Sequence, residues 1–159
     1  MNHHTFVKQS IFALIFLAVF PLSAANISIN VEVLEPSCNI NNGDVIEVDF
    51  GDDILSNKLN GSYYAQIVRL TFQCNTLTPD SGYLKIEGEE FEPGIQALKT
   101  SKENLSIYFS HSNNIIPINE KVAVNLKSTY NFLAILSKIG SKVQPGPFSA
   151  SATLALYYE

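Results

Sequence analysis

Cys38 and Cys74 are the only cysteines in the chain, so thiol chemistry is the first function to weigh. A redox pair needs CxxC spacing, and a zinc site needs further Cys or His ligands near by; neither is present. His111 is the only histidine beyond the first four residues, in Ser110-His111-Ser112. It could serve a Ser-His-Asp arrangement, but no GxSxG elbow accompanies it, and a solvated loop histidine is the expectation. Glu87, Glu89, Glu90 and Glu92 form an acidic cluster. It lacks the ligand spacing of a calcium loop and runs into Pro93-Gly94, so it reads as a charged turn. Asp49, Asp52 and Asp53 around Gly51 read as a solvated strand exit. GxGxxG and GxxxxGK[ST] are both absent, so no phosphate-cradling loop is expected. Three N-glycosylation triplets, at Asn26, Asn60 and Asn104, are the chance yield of an Asn/Ser-rich chain. The expectation is a protein without enzymatic activity, cofactor, metal or small-molecule substrate.

Composition narrows the class. The chain has 159 residues, 10 Lys+Arg against 15 Asp+Glu and a formal charge of −5. That is one domain's length. With Arg69 as its single arginine, it offers no basic face for nucleic acid. A hydrophobic share of 46% against 16% charged excludes a disordered chain.

Residues 1–25 read as a secretory signal. A polar start with Lys8 precedes the apolar run Ile11–Phe20, then Pro21, with Ser23 and Ala25 as small residues before a cleavage site. Ten helical residues rise about 15 Å, half the hydrocarbon thickness, so a membrane anchor is the weaker reading. Export places Cys38 and Cys74 in an oxidising compartment, where an even pair reads as a disulfide. Such a bridge stabilises by roughly 3–4 kcal/mol in the chain-entropy view.

Period-2 alternation dominates the rest of the chain. Ile27, Ile29, Val31 and Val33 alternate with Ser28, Asn30 and Glu32, and Ile46, Val48 and Phe50 with Glu47 and Asp49. Further strands are expected at Ile67–Phe72, Tyr83–Ile86, Leu105–Phe109, Val122–Leu126 and Phe132–Leu136. Phe148, Ala150, Ala152, Leu154, Leu156 and Tyr158 alternate almost to the end. Turn signals lie between them at Asn41-Asn42-Gly43, Asn60-Gly61, Pro79–Gly82, Pro93-Gly94, Asn113-Asn114 and Pro145–Pro147. Ile95–Thr100 is at most one helical turn. The expected class is an all-β sandwich. A true antibody-type domain is disfavoured, because the chain has no Trp.

The first of these segments admits two readings on pattern alone. Ile27–Val33 is either the first strand of its own sandwich or an extension whose apolar face fills a groove on another molecule.

The order of these motifs resembles subunits of chaperone–usher fimbriae, the type 1 and P pilus family, across the whole chain after residue 25. The resemblance rests on the Ile27–Val33 arm and on Cys38 followed by Asn39–Gly43 and Ile46–Gly51. Asn60–Tyr63 leading to Cys74, and the ending from Gly146 to Tyr158 with its penultimate tyrosine, complete it. It implies an immunoglobulin-like sandwich lacking one strand, with 26–37 as an N-terminal donor-strand extension and 38–159 as the pilin domain. The donor face would be Ile27, Ile29, Val31 and Val33. The groove edge would be Gly146, Phe148, Ala150, Ala152, Leu154, Leu156, Tyr158 and Glu159, the last with its carboxylate anchored by a chaperone. The implied partners are a periplasmic fimbrial chaperone, an outer-membrane usher and neighbouring fimbrial subunits, with export through the periplasm to the cell surface. The family's arm usually has Gly at its third inward position, where this chain has Val31. A two-domain tip adhesin would be about twice as long, so no lectin domain is expected, and Cys38–Gly51 looks closer to a minor or adaptor subunit. The alternatives are a self-complete secreted β-sandwich binding module and, remotely, an exported hydrolase centred on His111.

Overall fold

The computed structural model describes Glu35, residues 37–140 and residues 142–158. The expected signal segment, the Ile27–Val33 arm and Glu159 lie outside the described residues. Ten strands follow in chain order among the described residues: β1 Cys38–Ile40, β2 Asn60–Leu70, β3 Phe72–Cys74, β4 Ser81–Glu87 and β5 Leu98–Lys99 come first. β6 Leu105–His111, β7 Asn114–Ile116, β8 Lys121–Asn125, β9 Tyr130–Lys138 and β10 Thr153–Tyr157 complete them. Single 3₁₀ turns at Asn41–Gly43 and Ser56–Lys58 are the helical content of the described residues.

All strand pairs are antiparallel. One sheet runs β2-β9-β6-β5, with β7 also on β6; a second runs β10-β4-β8; β1 and β3 form a short ribbon. Alternation explains the layering, because side chains of a strand point to opposite faces every second residue. Leu84 and Ile86 of β4, Ile107 and Phe109 of β6, and Phe132, Ala134 and Leu136 of β9 are all buried. Val68 and Leu70 of β2 and Val124 of β8 join them in one apolar core. Both sheets therefore bury one face in the same core, as a sandwich requires.

The cysteines form a Cys38–Cys74 disulfide. They stand directly opposite each other in the β1–β3 ribbon. Just beyond, Asn41 ties the ribbon to the break between β2 and β3. Its Oδ1 accepts from the Thr71 amide (2.7 Å) and the Thr71 hydroxyl (2.9 Å), and its Nδ2 donates to the Arg69 carbonyl (2.8 Å). The side chain thus serves backbone groups that the ladder leaves at the break.

Four expectations change. Asn60-Gly61 opens β2 at a register shift against β9 instead of forming a turn. Its glycine, with φ +78°, lets the strand bend there beside Ser137. Residues 95–100 hold the short strand β5, paired with β6, not a helical turn. The β6–β7 hairpin turns at Ser112-Asn113, one residue earlier than expected, with φ of 50° and 66° at the two central positions. Positive φ at both is the condition for the tight turn that matches strand twist. Finally, Ile46–Phe50 forms no ladder among the described residues, although its burial alternates as a strand's would.

A candidate strand-acceptor edge

β10 pairs with β4 from Thr153↔Glu87 to Tyr157↔Tyr83. Among the described residues, no strand occupies its other edge. A bare sheet edge is a row of unpaired N–H and C=O groups, which proteins usually cover or blunt. Here the edge also borders apolar surface. Leu154, Leu156, Tyr158 and the earlier Phe148 pack against the core yet remain only half-buried. Ala150 and Ala152 lie before the strand and are exposed, as is Gly146, whose φ of +116° places it in a loop.

A second half-buried apolar row rests on the same core. Ile46, Val48 and Phe50 alternate with the exposed Glu47 and Asp49, and Ile54 follows. The strand pattern is complete in side chains and lacks only a backbone partner. Gly51 ends it in an Asx turn, its amide donating to Asp49 Oδ1 at 2.7 Å. Tyr64 secures the next stretch: its hydroxyl accepts from the Leu55 amide (2.8 Å) and donates to the Asp53 carbonyl (3.2 Å). Phe50 and Phe148 meet with ring centroids 6.3 Å apart, bringing the two rows together at one end.

The approach to β10 is pinned from the loop between β5 and β6. The Ser101 amide donates to the Ser149 carbonyl (2.8 Å), and the Ser149 amide donates to Ser101 Oγ (2.9 Å). Asn104 Nδ2 and Lys102 Nζ donate to the carbonyls of Lys142 (2.9 Å) and Pro145 (3.2 Å). The loop is itself closed by buried Thr100, whose hydroxyl serves the Leu105 carbonyl at 2.8 Å. Gly82 allows the far end of β10 to close in: a Cβ there would lie 2.8 Å from the Tyr157 carbonyl oxygen. β10 is thus fixed to its own sheet along one edge while the opposite edge carries no ladder among the described residues.

The outer face of this sheet is polar and aromatic. Tyr157 donates its hydroxyl to Glu87 Oε1 at 3.1 Å, and Lys85 Nζ pairs with the same oxygen at 2.9 Å. The bond from Lys85, then that from Tyr157, holds the Glu87 carboxyl below its ordinary pKa, while Glu87 raises that of Lys85. Lys121 Nζ stands over the Tyr157 ring, 4.5 Å from its centroid, and 5.9 Å from that of Tyr83.

Other sequence candidates are accounted for structurally. His111 closes β6: its Nδ1–H donates to the Asn131 carbonyl at 3.1 Å, and its ring packs on Tyr130 and Phe132 at 5.3 and 5.4 Å. It is therefore a packed strand-end residue, not a solvated loop histidine. Within the acidic cluster, Glu87 pairs with Lys85 and Glu89 pairs with Lys99. Among the described residues, no three His, Cys, Asp or Glu side chains are grouped to hold a metal ion. Also among them, no helix is long and apolar enough to cross a membrane.

Alternation identified the inward rows but missed the outer-face residues and the amide side chains. Asn119 illustrates the latter: its Oδ1 accepts from the Gly88 amide (3.1 Å) and its Nδ2 donates to the Gly88 carbonyl (2.9 Å). It takes the place of a strand's peptide group beside β4. An Asn without a hydrophobic period around it gives no sequence signal of that kind.

Comparison with known proteins places this geometry. The chain is 28% identical over 152 residues to PmfE of Proteus mirabilis (strain HI4320), described as a minor fimbrial subunit; the match covers 84% of this chain and 43% of that protein. The chain thus spans less than half the length of this curated relative. Among solved structures, the P pilus rod subunit PapA superposes with a TM-score of 0.66 at 20% identity, covering 77% of this chain and 99% of PapA. The P pilus adaptor subunit PapF gives a TM-score of 0.59 at 23% identity, over 77% of this chain and 95% of its own. The model of the family described as "Fimbrial protein" matches residues 26–159. By that match the chain belongs to the fimbrial protein family, and it has the fold of a pilus subunit.

Proposed function

We propose that the chain is a structural subunit, minor or adaptor in role, of a chaperone–usher adhesive fimbria, assembled by donor-strand exchange. The edge of β10, bare among the described residues and set above half-buried apolar side chains, carries this reading. An extended segment laid along that edge completes a ladder, and its alternate side chains cover the rows from Ile46 to Ile54 and from Phe148 to Tyr158. The acceptor residues are Phe148, Leu154, Leu156 and Tyr158, with Gly146, Ala150, Ala152 and Glu159 continuing the edge at its two ends. Residues 26–37 form the donor extension, with Ile27, Ile29, Val31 and Val33 as its inward face, and residues 38–159 form the pilin domain. Each buried donor side chain contributes roughly 1.5–3 kcal/mol before ordering costs.

Residues 1–25 direct export, and the family match beginning at residue 26 agrees with cleavage there. A periplasmic chaperone covers the acceptor edge first, the usher receives the complex, and the next subunit's extension replaces the chaperone. The mature protein reaches the cell surface within a fimbria. Periplasmic expression of the full chain alone should yield degraded or aggregated protein, rescued by a cognate chaperone, whose removal in dilute solution leaves a folded but aggregation-prone chain. Stable, monomeric, protease-resistant protein without one would favour a self-complete sandwich.

A further inference from the structure

The outer face of the β10-β4-β8 sheet carries a cation with no carboxylate of its own among the described residues. Lys121 and Lys85 sit opposite each other on β8 and β4, and Lys85 in turn faces Ala155 of β10. Lys85 is neutralised by Glu87 at 2.9 Å. Lys121 has no ion pair among the described residues; it reaches from β8 over the ring of Tyr157, on the strand whose far edge carries no partner strand among those residues. The Tyr157 ring is held by its hydroxyl bond to Glu87, so the perch is fixed. The charged strand residues facing outward here, Lys85, Glu87 and Lys121, leave one positive charge in excess on this face, carried beside the Tyr157 ring of β10.

We propose that Lys121, stacked on Tyr157, is a specificity-determining residue of the acceptor edge, favouring an incoming strand that carries a carboxylate on its solvent-facing side beside β10. The proposal rests on the strand-acceptor reading. A strand added there has its inward residues in the groove and its outward residues next to the outward row of β10, about 4.8 Å away. Lys121 is rooted two strands back, on β8, but its ammonium lies over a β10 side chain, so at low salt its charge acts across β10, attracting an outward carboxylate and repelling an outward cation. The chain's own residues 26–35 show the matching chemistry: their outward positions are Ser28, Asn30 and Glu32, with no basic residue in the segment. Inward side chains then supply affinity, while Lys121 discriminates among strands with similar apolar faces.

The test uses the full chain and labelled synthetic peptides of residues 26–35, each made with and without Val31→Gly. One series carries Glu32→Gln or Glu32→Lys; a second moves the acidic residue by adding Ser28→Glu or Asn30→Glu to Glu32→Gln. Fluorescence polarisation reads affinity for the wild-type chain and for Lys121→Glu. At low salt, the wild type should bind the best-placed acidic peptide about two- to fivefold more tightly than its neutral counterpart, and a basic one more weakly. Lys121→Glu should reverse that order, leave the neutral peptides unchanged, and both preferences should fade at high salt. Identical charge preference in wild type and Lys121→Glu, or none in any peptide, overturns the proposal. Failure of every peptide to bind the wild type overturns the strand-acceptor reading itself, and this proposal with it.

Discussion

Gly82→Ala is the sharpest test of how β10 is held. Gly82 lies in β4 opposite Val124, one residue before Tyr83, the partner of Tyr157. The added Cβ would stand 2.8 Å from the Tyr157 carbonyl oxygen and 3.3 Å from Leu126 Cδ1. The first contact is with backbone, so the end of β10 must move away from its sheet. Overpacking of this kind costs about 1–3 kcal/mol. The lower chain entropy of Ala in the unfolded state returns about 0.4–1 kcal/mol. The expected net loss is about 1–2 kcal/mol, read as a lower urea midpoint of the full chain by circular dichroism. Because the displaced residues border the acceptor edge, donor-peptide affinity should also fall, by about 5- to 30-fold. Gly94→Ala is the control: its Cβ meets nothing, but φ of +83° strains any side chain, so stability drops while peptide affinity stays. Unchanged stability and affinity in Gly82→Ala would refute the close approach of β10 to β4. Equal affinity losses in both variants would reduce the effect to general destabilisation.

Three further outcomes follow from the same geometry. Replacing Cys38 and Cys74 together by Ser should cost roughly 3–4 kcal/mol, with dithiothreitol reproducing the loss in the wild type and leaving the double variant unmoved. Asn41→Ala leaves the Thr71 amide and hydroxyl and the Arg69 carbonyl without their partner and should cost about 1–3 kcal/mol; Asn41→Asp, which keeps the acceptor, should cost less. Glu87 has a folded-state pKa below its ordinary value of 4.5, so its stabilising effect is present above that pH and is lost as pH falls through the depressed value. Glu87→Gln should therefore flatten part of the acid limb of a stability–pH curve between those two values; an unchanged limb would show that the Lys85 and Tyr157 contacts do not persist in solution.

The sequence made the core rows legible because a half-buried strand writes its burial as alternation. β4, β6, β8 and β9 appear at their expected places for that reason. The same rule misled wherever alternation outran backbone pairing. Ile46–Phe50 alternates without a ladder, and strand structure begins only at Thr153 although the pattern starts at Phe148. A side-chain period says which face is apolar and nothing about whether a partner strand is there. Asn60-Gly61 failed differently: Asn-Gly promotes positive φ, which a bulge uses as readily as a turn. The roles of Lys121 and Tyr157 were invisible because the outward row of a strand is polar by default. Only the fold shows which polar residues meet across three strands. The acceptor edge was expected only from the family resemblance and the alternating ending from Phe148 to Tyr158; that Ile46–Phe50 forms no ladder among the described residues is visible in the fold alone.

Amide hydrogen exchange of β10, followed residue by residue by NMR, tests the central claim most directly. In the full chain freshly freed of its chaperone, alternate amides of Thr153–Tyr157 should be protected through β4, while those in between exchange rapidly; adding a donor peptide should protect the second set. Protection of every β10 amide before any strand is added, unchanged by the peptide, would contradict the claim that this edge awaits another molecule.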